Sequence, residues 1–176
     1  MTEPDPERRF TAIYDEHRPQ VYAYAVSRAG RQLADDVVGD TFLVAWRRLD
    51  AVPAAPLPWL LGVARNVIRE RYRAEARQVS LAAELRAWVA EAEADVAEGV
   101  AEKVAVLAAM AGLAEADREL ITLVAWQGLT PRQAAKVIGC TVATYFVRLH
   151  RARKRLRTAL DARLVEITLP TREHSR

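Results

Sequence analysis

An all-α protein, two small helical domains joined by a linker, is the fold class that the sequence predicts, on three observations. Strand signals are nearly absent, while Ala, Leu, Arg and Glu dominate, residues whose intrinsic preference favours helix. Apolar residues recur at three- and four-residue steps in two separated stretches. Between those stretches, residues 84–103 hold six acidic and two basic side chains, a net charge of −4. The boundaries read as 1–77 for the first domain, 78–102 for the acidic linker, 103–163 for the second domain and 164–176 for a tail. A chain of 176 residues has room for two such units, and its 51% hydrophobic content gives both a core to bury.

The first helix is expected from Phe10 to about Ala29. There Phe10, Ile13, Tyr14, Val21, Tyr24 and Ala25 approximate an apolar stripe despite Pro19, and Gly30 ends it. A second helix runs from Leu33 to Leu49 on Val38, Phe42, Ala45 and Leu49, with Asp35, Asp36 and Asp40 toward its start, where carboxylates suit the helix dipole. The stretch "DAVPAAPLPW" breaks the chain, because Pro53, Pro56 and Pro58 disfavour helix at the residues before them. A third helix restarts near Pro58 or Trp59 and carries Leu60, Val63, Ala64, Val67, Ile68 and Tyr72 into a basic island, residues 65–77, of net charge +3. The linker is rich in Ala and Glu and keeps enough helical spacing, at Leu81, Leu85, Trp88, Ala92 and Val96, for partial helix. From Lys103 the pattern resumes, first over Val104 to Ala111 and then over Glu115 to Trp126, where Gly128 supplies a C-terminal cap.

The next segment carries the sharpest local signal. In "LTPRQAAKVIG", Thr130 is placed as an N-cap, Pro131 at the first helical position and Gln133 three residues after the cap. Ala135 is small enough for a close helix approach, Gly139 permits a tight turn, and Thr141 caps a following helix whose Val142, Tyr145, Leu149, Ala152 and Leu156 form one inward stripe. This is the pattern of a helix-turn-helix. With that stripe inside, Thr144, Phe146, Val147, Arg148 and Arg151 fall on the opposite face or its shoulders. Arg148 suits a guanine edge or a phosphate, and Phe146 or Val147 suits a thymine methyl group. Arg153, Lys154, Arg155 and Arg157 suit phosphates, which give affinity without sequence information. Residues 145–163 hold seven basic side chains and one acidic, a charge density that a core helix would not need.

Composition narrows the remaining classes. Cys140 is the single cysteine, and His17, His150 and His174 are scattered, so no metal, cofactor or disulfide is expected. No nucleophile, base and orienting group form a credible catalytic set, which argues against an enzyme. The start "MTEPDPERRF" lacks a leader pattern and no run of about 18 apolar residues occurs, so the reading is cytoplasmic, with no membrane insertion.

Four segments together carry a family resemblance: "FTAIYDEHRPQVYAYA", "ADDVVGDTFLVAWRRLD", "WLLGVARNVIRERYR" and "DRELITLVAWQGLTPRQAAKVIGCTVAT" with "RLHRARKRL". From about Phe10 to Leu160 the chain resembles the extracytoplasmic-function (ECF) sigma factors, the smallest branch of the bacterial sigma-70 family. The resemblance implies that residues 1–77 correspond to region 2, which docks on core RNA polymerase, melts the −10 element and holds its non-template strand. Residues 103–163 would correspond to region 4, which reads the −35 element. It implies partners: core RNA polymerase, promoter DNA and, as a candidate, an anti-sigma factor that clamps both domains.

The resemblance also places residues. "DDVVGDTF" matches the polymerase-docking helix, with Asp36, Val37, Asp40 and Phe42 as contact or support. Asn66, Arg69 and Arg73 match the promoter-facing part of region 2, and "DAVPAAPLPW" matches the loop that captures a flipped −10 base. Trp46 and Trp59 are candidate stacking platforms there, since aromatic rings offset the cost of unstacking a base. Three departures stand out: Gly39 where relatives usually carry glutamine, three prolines in the capture loop, and Tyr145, Phe146 and Val147 where relatives usually show Val-Lys-Ser. The last predicts an altered −35 preference, with an apolar contact in place of a polar one. A free-standing helix-turn-helix regulator that never docks on polymerase is the alternative, and co-purification with core polymerase separates the two.

Overall fold

A computed structural model describes residues 5–74 and 100–168. Among the described residues there are seven α-helices, one 3-10 turn and no strand. In chain order these are α1 (Pro6–Ala29), α2 (Arg31–Arg47), the 3-10 turn Leu49–Ala51, α3 (Pro56–Ala74), α4 (Val100–Gly112), α5 (Glu115–Ala125), α6 (Pro131–Ile138) and α7 (Val142–Thr168). The acidic linker expected over 78–102 lies outside the described residues except for its last three, which open α4. The expected tail from residue 164 begins inside α7, and residues 169–176 lie outside the described ones.

Two helices begin earlier than the apolar stripes alone suggest. α1 starts at Pro6 because Asp5 accepts a hydrogen bond from the Glu7 N–H at 3.2 Å and Pro6 occupies the first helical position, where a missing N–H costs nothing. α3 starts at Pro56 for the same reason of ring geometry. At the α1–α2 junction Gly30 adopts φ 82°, a backbone region closed to most side chains, which lets the chain reverse without a loop.

Helices α1, α2 and α3 pack mutually around Val21, Tyr24, Val37, Leu60, Leu61 and Ile68, all essentially inaccessible. The second unit packs α4, α5 and α6 against α7 around Leu120, Leu123, Tyr145, Leu149 and Ala152. Burial of side chains of this size contributes about 1.5–3 kcal/mol each relative to exposure. Arg118, only 5% exposed, ties α5 to the end of α4: it donates to the carbonyls of Met110 at 3.0 Å, Leu113 at 2.6 Å and Ala111 at 3.4 Å. These are carbonyls at a helix C-terminus, where orphan acceptors and the negative dipole end favour a cation. The two units touch through α3 against α6 and through a polar seam between α1, α3 and α5.

Candidate nucleic-acid interface

The helix-turn-helix forms as its sequence chemistry dictates. Thr130 and Gln133 make a reciprocal capping box, with the Thr130 hydroxyl accepting from the Gln133 N–H at 3.3 Å and the Gln133 side chain accepting from the Thr130 N–H at 2.9 Å. Gly139 turns the corner at φ 77°, its N–H donating to Ala135 at 2.9 Å, and Cys140 closes the turn on the same carbonyl at 3.1 Å. The Thr141 hydroxyl then accepts from the Thr144 N–H at 3.1 Å and donates to the Thr144 hydroxyl at 2.8 Å, capping α7.

Side-chain placement along α7 follows from that start. Tyr145, Leu149 and Ala152 are buried, with Val142 and Leu156 half-buried beside them. Burial pushes the Tyr145 phenol up to about 12, so it stays protonated, and it donates to the Leu120 carbonyl at 2.6 Å. Phe146 and Val147 are 53% and 51% exposed. Thr144, Arg151 and Lys154 are exposed, and Arg148 is half-buried. Arg155 is engaged within the chain, pairing with Asp117 of α5 at 2.7 Å. The result is an apolar pair, Phe146 and Val147, framed by cations, on the outer face of the second helix of the motif.

In the first unit Asn66 and Arg69 are exposed on α3; Arg73 lies in the last turn of that helix. Trp46 is 42% exposed but packs edge-on against Phe10 at 5.2 Å between ring centres, in a cluster with Tyr14 and Phe42. Trp59 is half-buried against the core. On α2, Asp36 and Asp40 both accept from Arg71 of α3, and their hydrogen bonds, with Asp40 first, hold the Arg71 guanidinium above its ordinary value. Val37 and Phe42, on the same helix as the two acids, are buried at 0% and 3% exposure.

Sequence reasoning missed a set of charged residues that are not on the outer surface. Glu119 of α5 is 3% exposed. Its Oε1 accepts from the Tyr24 phenol of α1 at 2.7 Å and from Arg65 Nε of α3 at 3.0 Å. Arg28 of α1 approaches the same oxygen at 3.5 Å and pairs with Glu115 at 2.7 Å. Burial, and then the Glu119 charge, hold the Tyr24 phenol well above its ordinary value, so it remains a donor. The spacing of Gln20, Tyr24 and Arg28 puts them on one stripe of α1, and that was the only signal available.

Comparison with known proteins now bears on this arrangement. Residues 13–78 match the family model for sigma-70 region 2, and residues 103–156 match that for sigma-70 region 4. The chain is 33% identical to the ECF RNA polymerase sigma factor EcfG of Rhodopseudomonas palustris, over 81% of this chain and 80% of that one. It is 36% identical to the RNA polymerase sigma factor CnrH of Cupriavidus metallidurans, over 73% of each. The protein belongs to the ECF RNA polymerase sigma factors. Among solved structures, CnrH in complex with the cytosolic domain of CnrY aligns with a TM-score of 0.64 at 29% identity, covering 89% of this chain and 90% of that one. The sigma factor RpoE of Bartonella quintana, solved with the anti-sigma factor NepR, shares the fold with a TM-score of 0.65 at 24% identity, covering 86% and 96%. As a sigma factor of this family, the chain binds RNA polymerase and directs promoter-specific transcription. No helix among the described residues is long and apolar enough to cross a membrane.

Proposed function

We propose that the two halves of this sigma factor divide one promoter between them. Residues 1–77 dock on core polymerase through α2, with Asp36 and Asp40 as contacts and Val37 and Phe42 as their support. The same unit holds the opened −10 strand with Asn66, Arg69 and Arg73, while Trp46 and Trp59 supply aromatic surface beside it. Residues 103–163 read the −35 element as intact duplex, and residues 78–102 join the two. In the major groove Thr144, Phe146, Val147 and Arg148 face bases; Arg151, Lys154 and Arg155 face phosphates, Arg155 after leaving Asp117.

The observation that carries this reading is the exposed Phe146 and Val147 pair beside Arg148, Arg151 and Lys154 on the second helix of a capped helix-turn-helix. A solvated helix face does not need two large apolar residues side by side, whereas a groove lined with methyl groups and phosphates accepts both kinds of side chain. Phosphodiester chemistry belongs to the polymerase, and the chain acts in the cytoplasm without catalysis of its own. An anti-sigma factor is a further partner, a reading supported by the likeness to CnrH, which is solved with the cytosolic domain of CnrY.

Run-off transcription with sigma-free core polymerase over a randomised promoter library tests the proposal. The expected result is start-site selection at templates sharing a −35 and a −10 element. Polymerase that starts equally at all templates with and without the protein overturns it.

A further inference from the structure

We propose that Arg9 is a positioning residue for promoter opening: it braces the loop between α2 and α3 in the shape that receives an unstacked base of the −10 strand. The inference deepens the reading of the first unit as the holder of the opened −10 strand, and it rests on that reading.

The loop takes its shape from its own sequence. The 3-10 turn is closed by the Ala51 N–H on the Arg48 carbonyl at 2.9 Å and by the Val52 N–H on the Leu49 carbonyl at 3.2 Å. Val52 is extended, with φ −71° and ψ 120°, the region that a following proline enforces. Its side chain is buried, while Pro53, Ala54 and Ala55 are exposed before Pro56 opens α3. The projecting tip therefore carries no polar side chain, and it joins the helix of Trp46 to the helix of Trp59, Asn66 and Arg69. Such a tip meets a base through backbone groups and shape alone, and both depend on how the loop is anchored.

Arg9 supplies that anchor. Its Nη2 donates to the Val52 carbonyl at 2.9 Å, across 43 residues of chain. The carbonyl belongs to a nearly buried residue, where an acceptor needs a partner, and a charged donor makes one of the stronger bonds. Arg8 gives the contrast. One position earlier, its side chain is 90% exposed and approaches Asp5 at 3.8 Å, the state of a solvated charge. Phe10, one position later, sets its ring edge-on to Trp46 at 5.2 Å. The start of α1 thus touches both the loop and a candidate stacking ring. A loop already held in its receiving shape loses little conformational entropy when the strand arrives, so removing the brace weakens capture rather than folding.

The test uses holoenzyme assembled from core polymerase and the full chain, on a template selected in the run-off experiment. Abasic sites are placed one at a time along the non-template −10 strand, and open complex is read by permanganate reactivity. The wild type is expected to lose most at one abasic position, the one whose base the loop receives. Arg9→Met keeps the stem and removes the donors. It is expected to lower open complex on the intact template by about tenfold, and to equal the wild type on the template abasic at that position, where no base is left to receive. Its salt dependence should match the wild type, because no phosphate contact is lost. Arg8→Met should leave every reading at the wild-type value. Arg9→Lys, with a point donor in place of the fork, should show the same pattern at smaller size, and it serves alone if Arg9→Met loses helical signal.

A loss in Arg9→Met that is equal on intact and abasic templates, or that comes with a shallower salt dependence, overturns the positioning role. The first result makes Arg9 a general structural residue, and the second makes it a phosphate contact. A wild type indifferent to every abasic site overturns −10 capture and this inference with it. A wild type sensitive at one position, with Arg9→Met indistinguishable from it on all templates, removes the part of Arg9 alone.

Discussion

The phenolic oxygen of Tyr145 lies 2.6 Å from the carbonyl oxygen of Leu120, joining α7 to the middle of α5 inside the second unit. This bond fixes the rotation of α7 about its axis, and therefore which side chains face outward. Because Tyr145 points in, its neighbours Phe146 and Val147 point out, and the exposed apolar pair is a direct consequence of a buried polar one.

Replacing Tyr145 by Phe keeps the ring and removes the bond, at an expected cost of about 1 kcal/mol in urea unfolding. The pH dependence has a definite sign. With the folded-state value raised to about 12 from the ordinary value near 10, the folded chain holds the phenolic proton more tightly. The stabilisation is fully present below pH 10 and is lost as pH rises through 12. Tyr24 contributes in the same direction. Alkaline unfolding of Tyr145→Phe should therefore be less steep than that of the wild type over this window; an identical profile would exclude the assignment.

Arg118 predicts a larger effect. Arg118→Met removes the donor to three carbonyls at the end of α4 while filling similar volume, and a loss of about 3 kcal/mol is expected. Arg118→Lys should restore part of it. Thermal melts followed at 222 nm measure both, and a Met variant as stable as the wild type contradicts the capping role.

Gly39 stands exposed in α2 with nothing within 4 Å of where a Cβ would lie. Gly39→Gln should stabilise the helix by about 0.5–1 kcal/mol, raising the melting temperature by roughly 2–4 °C. Since Asp36 and Asp40 lie on the same helix, a firmer α2 is expected to leave polymerase affinity equal or tighter. Weaker binding would show that the glycine is there for close approach of the partner.

Phe146→Lys tests the specificity claim. Stability should stay within about 0.5 kcal/mol because the ring is 53% exposed and outside the core. Selection on a −35 library should move away from thymine at one position and toward a polar base edge, with a steeper salt dependence from the added cation. Unchanged preference at every −35 position removes Phe146 from base reading.

Most of the helical layout was legible because it rests on local chemistry. Thr130, Pro131 and Gln133 announce a helix start, Gly139 a corner, and the Val142 to Leu156 spacing a buried face, and each signal acts within a few residues. The start of α1 is written in Asp5 and Pro6, which lie ahead of the first residue of its apolar stripe. Less legible were Arg28, Arg65, Arg118 and Glu119. A charged residue at a helical position looks solvated from sequence alone, and only the approach of a second element 54 or 95 residues away, as for Arg65 and Tyr24 with Glu119, buries it. Arg155 shows the opposite limit, since its charge was plain while its partner Asp117, 38 residues earlier, was not.

The length of α7 has a mechanical meaning. Its 27 residues rise about 40 Å, whereas the major groove it would enter is only about 12 Å wide. In the proposed promoter complex the terminal turns around Arg163 and Val165 would therefore stand clear of duplex like a mast, with Val165 58% exposed along it. A fluorophore at Val165 would then report on where the second unit sits without touching what it reads.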